Sequence, residues 1–218
     1  NTVDGEKNYS MLIHTSGKKN DHTNDYIEVV KIFNTLRDTT NTNAERYYKR
    51  IYELAEIKYP GEGLEIVGYI NLNKDRNIIV VMNSDKEKNV SNYANATNPS
   101  ALFTIAIGGN IVSRGVTFDN LLSMYFTRDV AHKLQQDTYI QRARMFGTRG
   151  KYLQYMDLHI PEKLYGDWHK CFVFHRLSLD SIKSGNGVPT WLEDKRIRPV
   201  ANDSIDKTTV SLDSGEMS

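Results

Sequence analysis

The sequence predicts an α/β fold, a mainly parallel sheet with helices on both faces. Three observations lead there. Apolar runs of strand length alternate with segments of helical period. The runs are continuous rather than polar at every second position, as in strands covered on both sides. Glycine or polar exits follow several of them, where the crossovers of such a sheet begin. In sheets of this kind ligands sit outside the carboxyl ends of the strands.

The elements follow in order. Ser10-Met11-Leu12-Ile13-His14-Thr15 reads as a buried strand with a polar exit at Gly17. Tyr26, Val29, Val30, Phe33 and Leu36 recur at helical spacing. Thr42 and Glu45 form a capping box for a second helix carrying Tyr48, Ile51, Leu54 and Ala55, and Pro60-Gly61 ends it. Leu64 to Ile70 and Ile78 to Met82 read as strands around the turn Asn73-Lys74-Asp75-Arg76, and Ser84 to Ser100 as an asparagine-rich loop. Leu102 to Ile107 is a strand leading into "GGNIVSRGVTF", and Leu122 to Phe126 is another. Thr138 to Phe146 is helical and closed by Gly147; Tyr152 to Leu158 is strand-like. Pro161 opens a long helix with Leu164, Trp168, Phe172, His175 and Leu179 on its apolar face. This gives a domain over residues 1–180 and a polar tail or linker over 181–218.

Composition narrows the functional classes. Of 218 residues, 39% are hydrophobic and 25% charged, which fits a soluble globular domain. No stretch approaches the roughly 20 apolar residues of a membrane helix, and no signal peptide opens the chain, so a cytoplasmic protein is expected. The single cysteine, Cys171, excludes an internal disulfide and a multi-cysteine zinc site, and its apolar neighbours suggest a buried hydrophobe rather than a nucleophile. With a net charge of +1 there is no global field toward nucleic acid, so any phosphate binding must be local.

The local charge is there. Arg142, Arg144, Arg149 and Lys151 cluster, and Gln141 and Arg144 share a helix face. Arginine grips phosphate bidentately and is always charged, so the cluster suits a polyphosphate, with a self-capping basic helix end as the alternative. Paired glycines after the strand Leu102 to Ile107 suggest close backbone approach, and Arg114-Gly115 beside them suggests an anion.

These residues carry a family resemblance. "IAIGGNIVSRGVTFDNL" followed by "QRARMFGTRG" resembles motifs V and VI of the second RecA-like lobe of superfamily-two helicases. It is more closely similar to the Z-one domain family of restriction-associated endonucleases. The carriers are Gly108-Gly109-Asn110, Ser113-Arg114-Gly115, Tyr125-Phe126-Thr127-Arg128, Asp137-Thr138 and Gln141 through Arg149, with weaker support from "SMLIHTS" and "VVMNSD". The resemblance implies a RecA-like lobe. Arg144 and Arg149 would reach the γ-phosphate of a nucleotide held by another lobe, with Gln141 orienting within that site. Gly109, Asn110, Arg114, Gly115 and Thr117 would lie against the nucleotide, and Thr15, Ser113 and Arg128 against DNA. Two departures stand out: Thr117 replaces the aspartate that many of these helicases turn toward the ribose, and the two arginines are five apart instead of three.

Half of an ATPase site is missing from the pattern. No GxxxxGK[ST] occurs; "TSGKK" at 15–19 lacks the first glycine, because Leu12 stands in its place. A Walker B reading of "YLQYMDLH" rests on Asp157 alone. Neither the carboxylates (Asp157, Glu162) with Lys163 nor the histidines (His159, His169, His175) make a convincing nuclease centre, and no metal site is expected. The start at Asn1 suggests a fragment of a longer chain with an ATPase lobe upstream. The expectation is the second motor lobe of a DNA-dependent ATPase or translocase, part of a hydrolase yet inactive alone. ATP and Mg2+ would be bound only with the partner lobe. The alternatives are a non-catalytic module binding nucleic acid or a partner, and a domain that is itself a DNA endonuclease.

Overall fold

The computed structural model describes residues 8–82, 94, 96–109, 116–129, 133–142, 150, 152–185, 190–206 and 208–211. The chain forms two compact units: residues 1–128 with 145–160, and residues 129–144 with 161–218.

The first unit holds β1 (Tyr9–His14), α1 (Lys19–Arg37), α2 (Thr42–Lys58), α3 (Gly63–Asn73), β2 (Asn77–Met82), β3 (Phe103–Gly108), β4 (Leu121–Phe126), a 3-10 turn (Leu153–Tyr155) and β6 (Asp157–His159). The five strands form one sheet in the order β2-β3-β1-β4-β6, every pairing parallel. This is the RecA-like α/β fold that the sequence predicts. The chain steps one way from β1 to the edge strand β2, then moves the other way through β3, β4 and β6. A right-handed crossover from β1 to β2 therefore places α1–α3 on one face. In agreement, α1 packs over β2 and β3.

Burial explains why these segments are strands. In β1, Ser10, Leu12 and His14 are buried while Tyr9, Met11 and Ile13 are half-buried, so one face is sealed and the other only partly. Val80, Met82, Ala106, Ile107, Met124 and Phe126 continue the sealed core, with Phe118 and Leu121. On α1 the buried positions His22, Val29 and Leu36 repeat every seven residues, while Tyr26 is exposed.

Three sequence expectations are corrected. Leu64–Ile70 is not a strand but the middle of α3: eleven consecutive residues fold as a helix on α2. The Glu56 carboxylate fixes its start, accepting from the Gly61 and Gly63 N–H groups at 2.9 Å each. Gly61 takes φ 88°, a left-handed turn open to glycine. The cap of α2 is Asn41, whose side chain accepts from Asn43 N–H, not Thr42. Tyr152–Leu158 divides into the 3-10 turn and the short β6.

The second unit contains β5 (Leu134–Gln135), α4 (Gln136–Arg142), α5 (Glu162–Ser184), β7 (Ile197–Arg198) and a 3-10 turn (Asn202–Ser204). Pro161 precedes α5 as expected, and Gly185 ends it at φ 64°. Its buried face is Leu164, Trp168, Cys171, Phe174 and Ser178, a correction to the predicted one: Phe172 and Leu179 are exposed and His175 half-buried. Tyr139 of α4 meets Trp168 edge-on, ring centroids 5.9 Å apart. α5 continues unbroken through residue 180, and β7 beyond it pairs with β5, burying Leu134 and Ile197. Asp194 pins that pairing: it accepts from the N–H groups of Arg196 and Ile197 at 2.7 Å each and from Lys170 Nζ at 2.9 Å. Arg196 in turn bonds Asp167 at 2.9 Å and Asp129.

Candidate functional site

The strands β1 and β4 are neighbours whose onward connections leave in opposite directions. That divergence marks the position at their carboxyl ends where ligands usually sit in such sheets. Three predicted residues meet around it. Thr15 follows β1, half-buried, and its hydroxyl donates to the Asp25 carboxylate on α1 at 2.5 Å. Gly109 follows β3 and is buried. Arg128 follows β4, and its guanidinium lies over Gly17, with Nη2 3.0 Å from where a Cβ would stand.

Two histidines hold these exits together. The His14 ring, 4.8 Å from that of Phe126, donates through Nδ1 to the Gly108 carbonyl at 2.5 Å. His22, 3% exposed, donates through Nε2 to the Ser16 carbonyl at 3.0 Å. A Cβ on Gly109 would come within 2.8 Å of His22 Cε1 and 3.2 Å of the Ser16 carbonyl oxygen. Glycine is therefore required at 109 for close approach between two loops, and no side chain fits that gap unless His22 moves. Sequence reasoning missed both histidines. The sevenfold spacing of His22 with Val29 and Leu36 was the available signal.

The corner has the chemistry of an anion acceptor. The N-terminus of α1 opens there after Gly17, with Lys18 N–H bonded to Ser16 Oγ at 3.1 Å. Its first backbone N–H groups and the helix dipole favour negative charge. Lys18 and Lys19 are exposed beside it, and Arg128 adds a fork of donors. Phosphate oxygens match that set.

The other predicted residues lie elsewhere. Thr117 is exposed on the approach to the amino end of β4. Gln141 is exposed on α4, in the second unit. Asn110, Ser113, Arg114, Gly115, Arg144 and Arg149 lie outside the described residues. Asp157 starts β6 at the amino edge, away from the carboxyl ends of the strands, and is paired with Lys58. A cleft of about 430 Å3 lies there, lined by Tyr9, Tyr59, Tyr152 and Tyr155. That position fits an ordinary strand start better than a magnesium carboxylate at a carboxyl edge.

The remaining candidates sort as structural. Cys171 is buried, and burial followed by the nearby Asp167 and Asp194 charges pushes its thiol up to about 12. It is a hydrophobe with no thiolate at neutral pH. His169 faces solvent. Among the described residues no group of three metal-ligating side chains converges, and no helix is long and apolar enough to cross a membrane.

Comparison with known proteins adds one finding. The family model of the Z1 domain matches residues 1–183. No curated protein and no solved structure matches the chain.

Proposed function

Because the chain belongs to the Z1 domain family, we propose that it is the second motor lobe of a DNA-dependent ATPase or translocase in a restriction-type endonuclease. The observation that carries this reading is the corner where Thr15, Gly109 and Arg128 gather beside the N-terminus of α1. It offers donors to phosphate without a P-loop, which is what a lobe needs when another lobe cradles the nucleotide.

In this reading ATP and Mg2+ sit mainly on a partner lobe of the same polypeptide. Arg144 and Arg149 enter that site as arginine fingers, stabilising the charge that develops on the γ-phosphoryl group, and Gln141 orients within it. The loop from Gly109 through Thr117 couples nucleotide to DNA, and Thr15, Ser113 and Arg128 hold the DNA backbone. Closure of the lobes around ATP would then be read as movement along the strand. His22 fixes the spacing of the two exits that carry these groups.

The test is ATP turnover with DNA present. The isolated 218 residues should show negligible activity, and joining the partner lobe should confer it. Arg144→Ala and Arg149→Ala should then be measured separately. The variant lacking the true finger should lose about 1,000-fold or more in kcat. Robust turnover by the isolated chain, or no loss in either variant, would overturn the reading. Magnesium-dependent nicking of plasmid by the isolated chain would favour a nuclease domain instead.

A further inference from the structure

Four tyrosines converge on the cleft at the amino edge of the sheet, all of them in the first unit. Tyr152 and Tyr155 bracket the 3-10 turn, where residues three apart eclipse and so present their rings to one side. Tyr9 opens β1 and meets Tyr152 edge-on, ring centroids 5.9 Å apart at 72°. Tyr59 follows α2, and Lys58 Nζ lies 5.8 Å from its ring centre. The space they line, about 430 Å3, falls within the ~300–1,000 Å3 of pockets that take small ligands. Tyr155 is 46% exposed, so its ring stands open to a ligand rather than sealed in the core.

Polar groups with capacity to spare line the same cleft. Lys58 pairs with one carboxylate oxygen of Asp157, which leaves the second oxygen and two of the three ammonium donors. Ser123 on β4 is the register partner of Asp157, so both side chains leave the sheet on one face. The hydroxyls of Ser123, Tyr59 and Tyr155 form no hydrogen bond among the described residues. Tyrosine faces suit a flat ring. The ion pair is neutral as a whole, so it selects no net charge; it sets an acceptor beside a donor. The ligand that answers both is a neutral heteroaromatic ring with a donor and an acceptor adjacent on its edge, which describes a nucleobase. Guanine fits best, because its ring N–H and exocyclic amine donate side by side to a carboxylate while the next carbonyl accepts from an ammonium. Thymine offers a single N–H between two carbonyls.

We propose that this tyrosine cleft binds a nucleobase, guanine by preference, stacked on the rings and held at its edge by Asp157 and Lys58. The same chemistry arrives on a free nucleoside or on a single strand.

Saturation-transfer NMR of the 218-residue chain with guanosine, thymidine and ribose tests this. Guanosine carries no phosphate, so its binding is read apart from the corner at the carboxyl ends of the strands, and either can fail without the other. Transfer should be strongest to the guanine ring proton, with a Kd of about 1 mM, the scale one stacked ring supplies. Thymidine should bind about fivefold more weakly, for want of the second donor. Tyr155→Ala should lose about tenfold, the scale of one base stack, whereas Tyr155→Phe keeps the ring and should bind as the wild type does. Asp157→Asn should erase the preference for guanosine and leave thymidine binding unchanged. A labelled thymidine hexamer with one central guanosine separates the sources: binding about fivefold tighter than the all-thymidine hexamer assigns the base to a strand, and equal binding assigns it to the free nucleoside. No transfer to guanosine, ribose saturated as strongly, thymidine bound as tightly, or Tyr155→Ala matching the wild type would overturn the proposal.

Discussion

Gly109→Ala isolates the contact between the exits of β1 and β3. The added methyl group would stand 2.8 Å from His22 Cε1, 3.1 Å from Nε2 and 3.2 Å from the Ser16 carbonyl oxygen. None of these is the far end of a flexible chain: the imidazole is buried and bonded to that same carbonyl. Overpacking of this kind costs about 1–3 kcal/mol. If the ring turns away, its hydrogen bond goes too, at about 0.5–1.5 kcal/mol. We expect a loss of about 2–3 kcal/mol, a fall in Tm of about 4–12 °C for a chain of this size. Both tryptophans, Trp168 and Trp191, lie in the second unit. The loss should therefore be read by amide exchange in β1 and β3 rather than by fluorescence. His22→Ala removes the obstacle, so the double variant should cost less than the sum of the singles by about 1 kcal/mol or more. A neutral Gly109→Ala, or strict additivity with His22→Ala, would refute the account of this corner.

Other outcomes follow from neighbouring features. Arg128→Ala should weaken binding of single-stranded DNA and reduce the dependence of log K on log salt by about one unit; an unchanged slope would remove Arg128 from the interface. Asp194→Ala should destabilise the second unit by about 1–3 kcal/mol, seen in tryptophan fluorescence, because it strips the acceptor from two backbone N–H groups and Lys170. Burial opposes ionisation of the Asp194 carboxyl, but the Lys170 bond and the two N–H groups outweigh it and hold its pKa below the ordinary range. Its contribution is therefore present above about pH 4 and lost as pH falls through the lowered value. Asp194→Asn should flatten that part of the acid profile. The Cys171 thiol should resist a disulfide reagent in the folded chain and react on denaturation; rapid native reaction at pH 7 would contradict its burial.

The strands at the centre of the sheet were legible because their neighbours in sequence differ sharply from them. Leu102–Ile107 and Leu122–Phe126 are apolar runs between polar or glycine-rich turns, and each matches its strand to within a residue. α3 was not legible for the same reason in reverse. Leu64–Ile70 is a short apolar run whose single glutamate breaks neither period, and its helical state depends on Glu56 and the face of α2, both outside the run. On α5 hydrophobic residues circle the helix, so the sequence named a face turned by about one residue from the buried one. In the candidate corner, Thr15, Gly109 and Arg128 come from three strand ends far apart in sequence, which spacing could not bring together; only the family resemblance made them candidates. His22 and Asp25 went unnoticed because a lone histidine and aspartate on a helix announce nothing until the strand exits close around them.

The strand order has a consequence for how the chain is made. Within this sheet β1 is synthesised first, yet both its partners are later: β3 begins at Phe103 and β4 at Leu121. Until Phe103 and the residues after it have emerged, the most central strand has no edge to join, and the next sheet strand made, β2, is not its neighbour. Long loops must close before β1 gains any pairing, which makes folding slow relative to a helical chain of equal stability. In the interval a bare apolar strand waits beside three completed helices. A ribosome-bound chain arrested near residue 100 should therefore bind a holdase chaperone at β1 and let go once β4 is out.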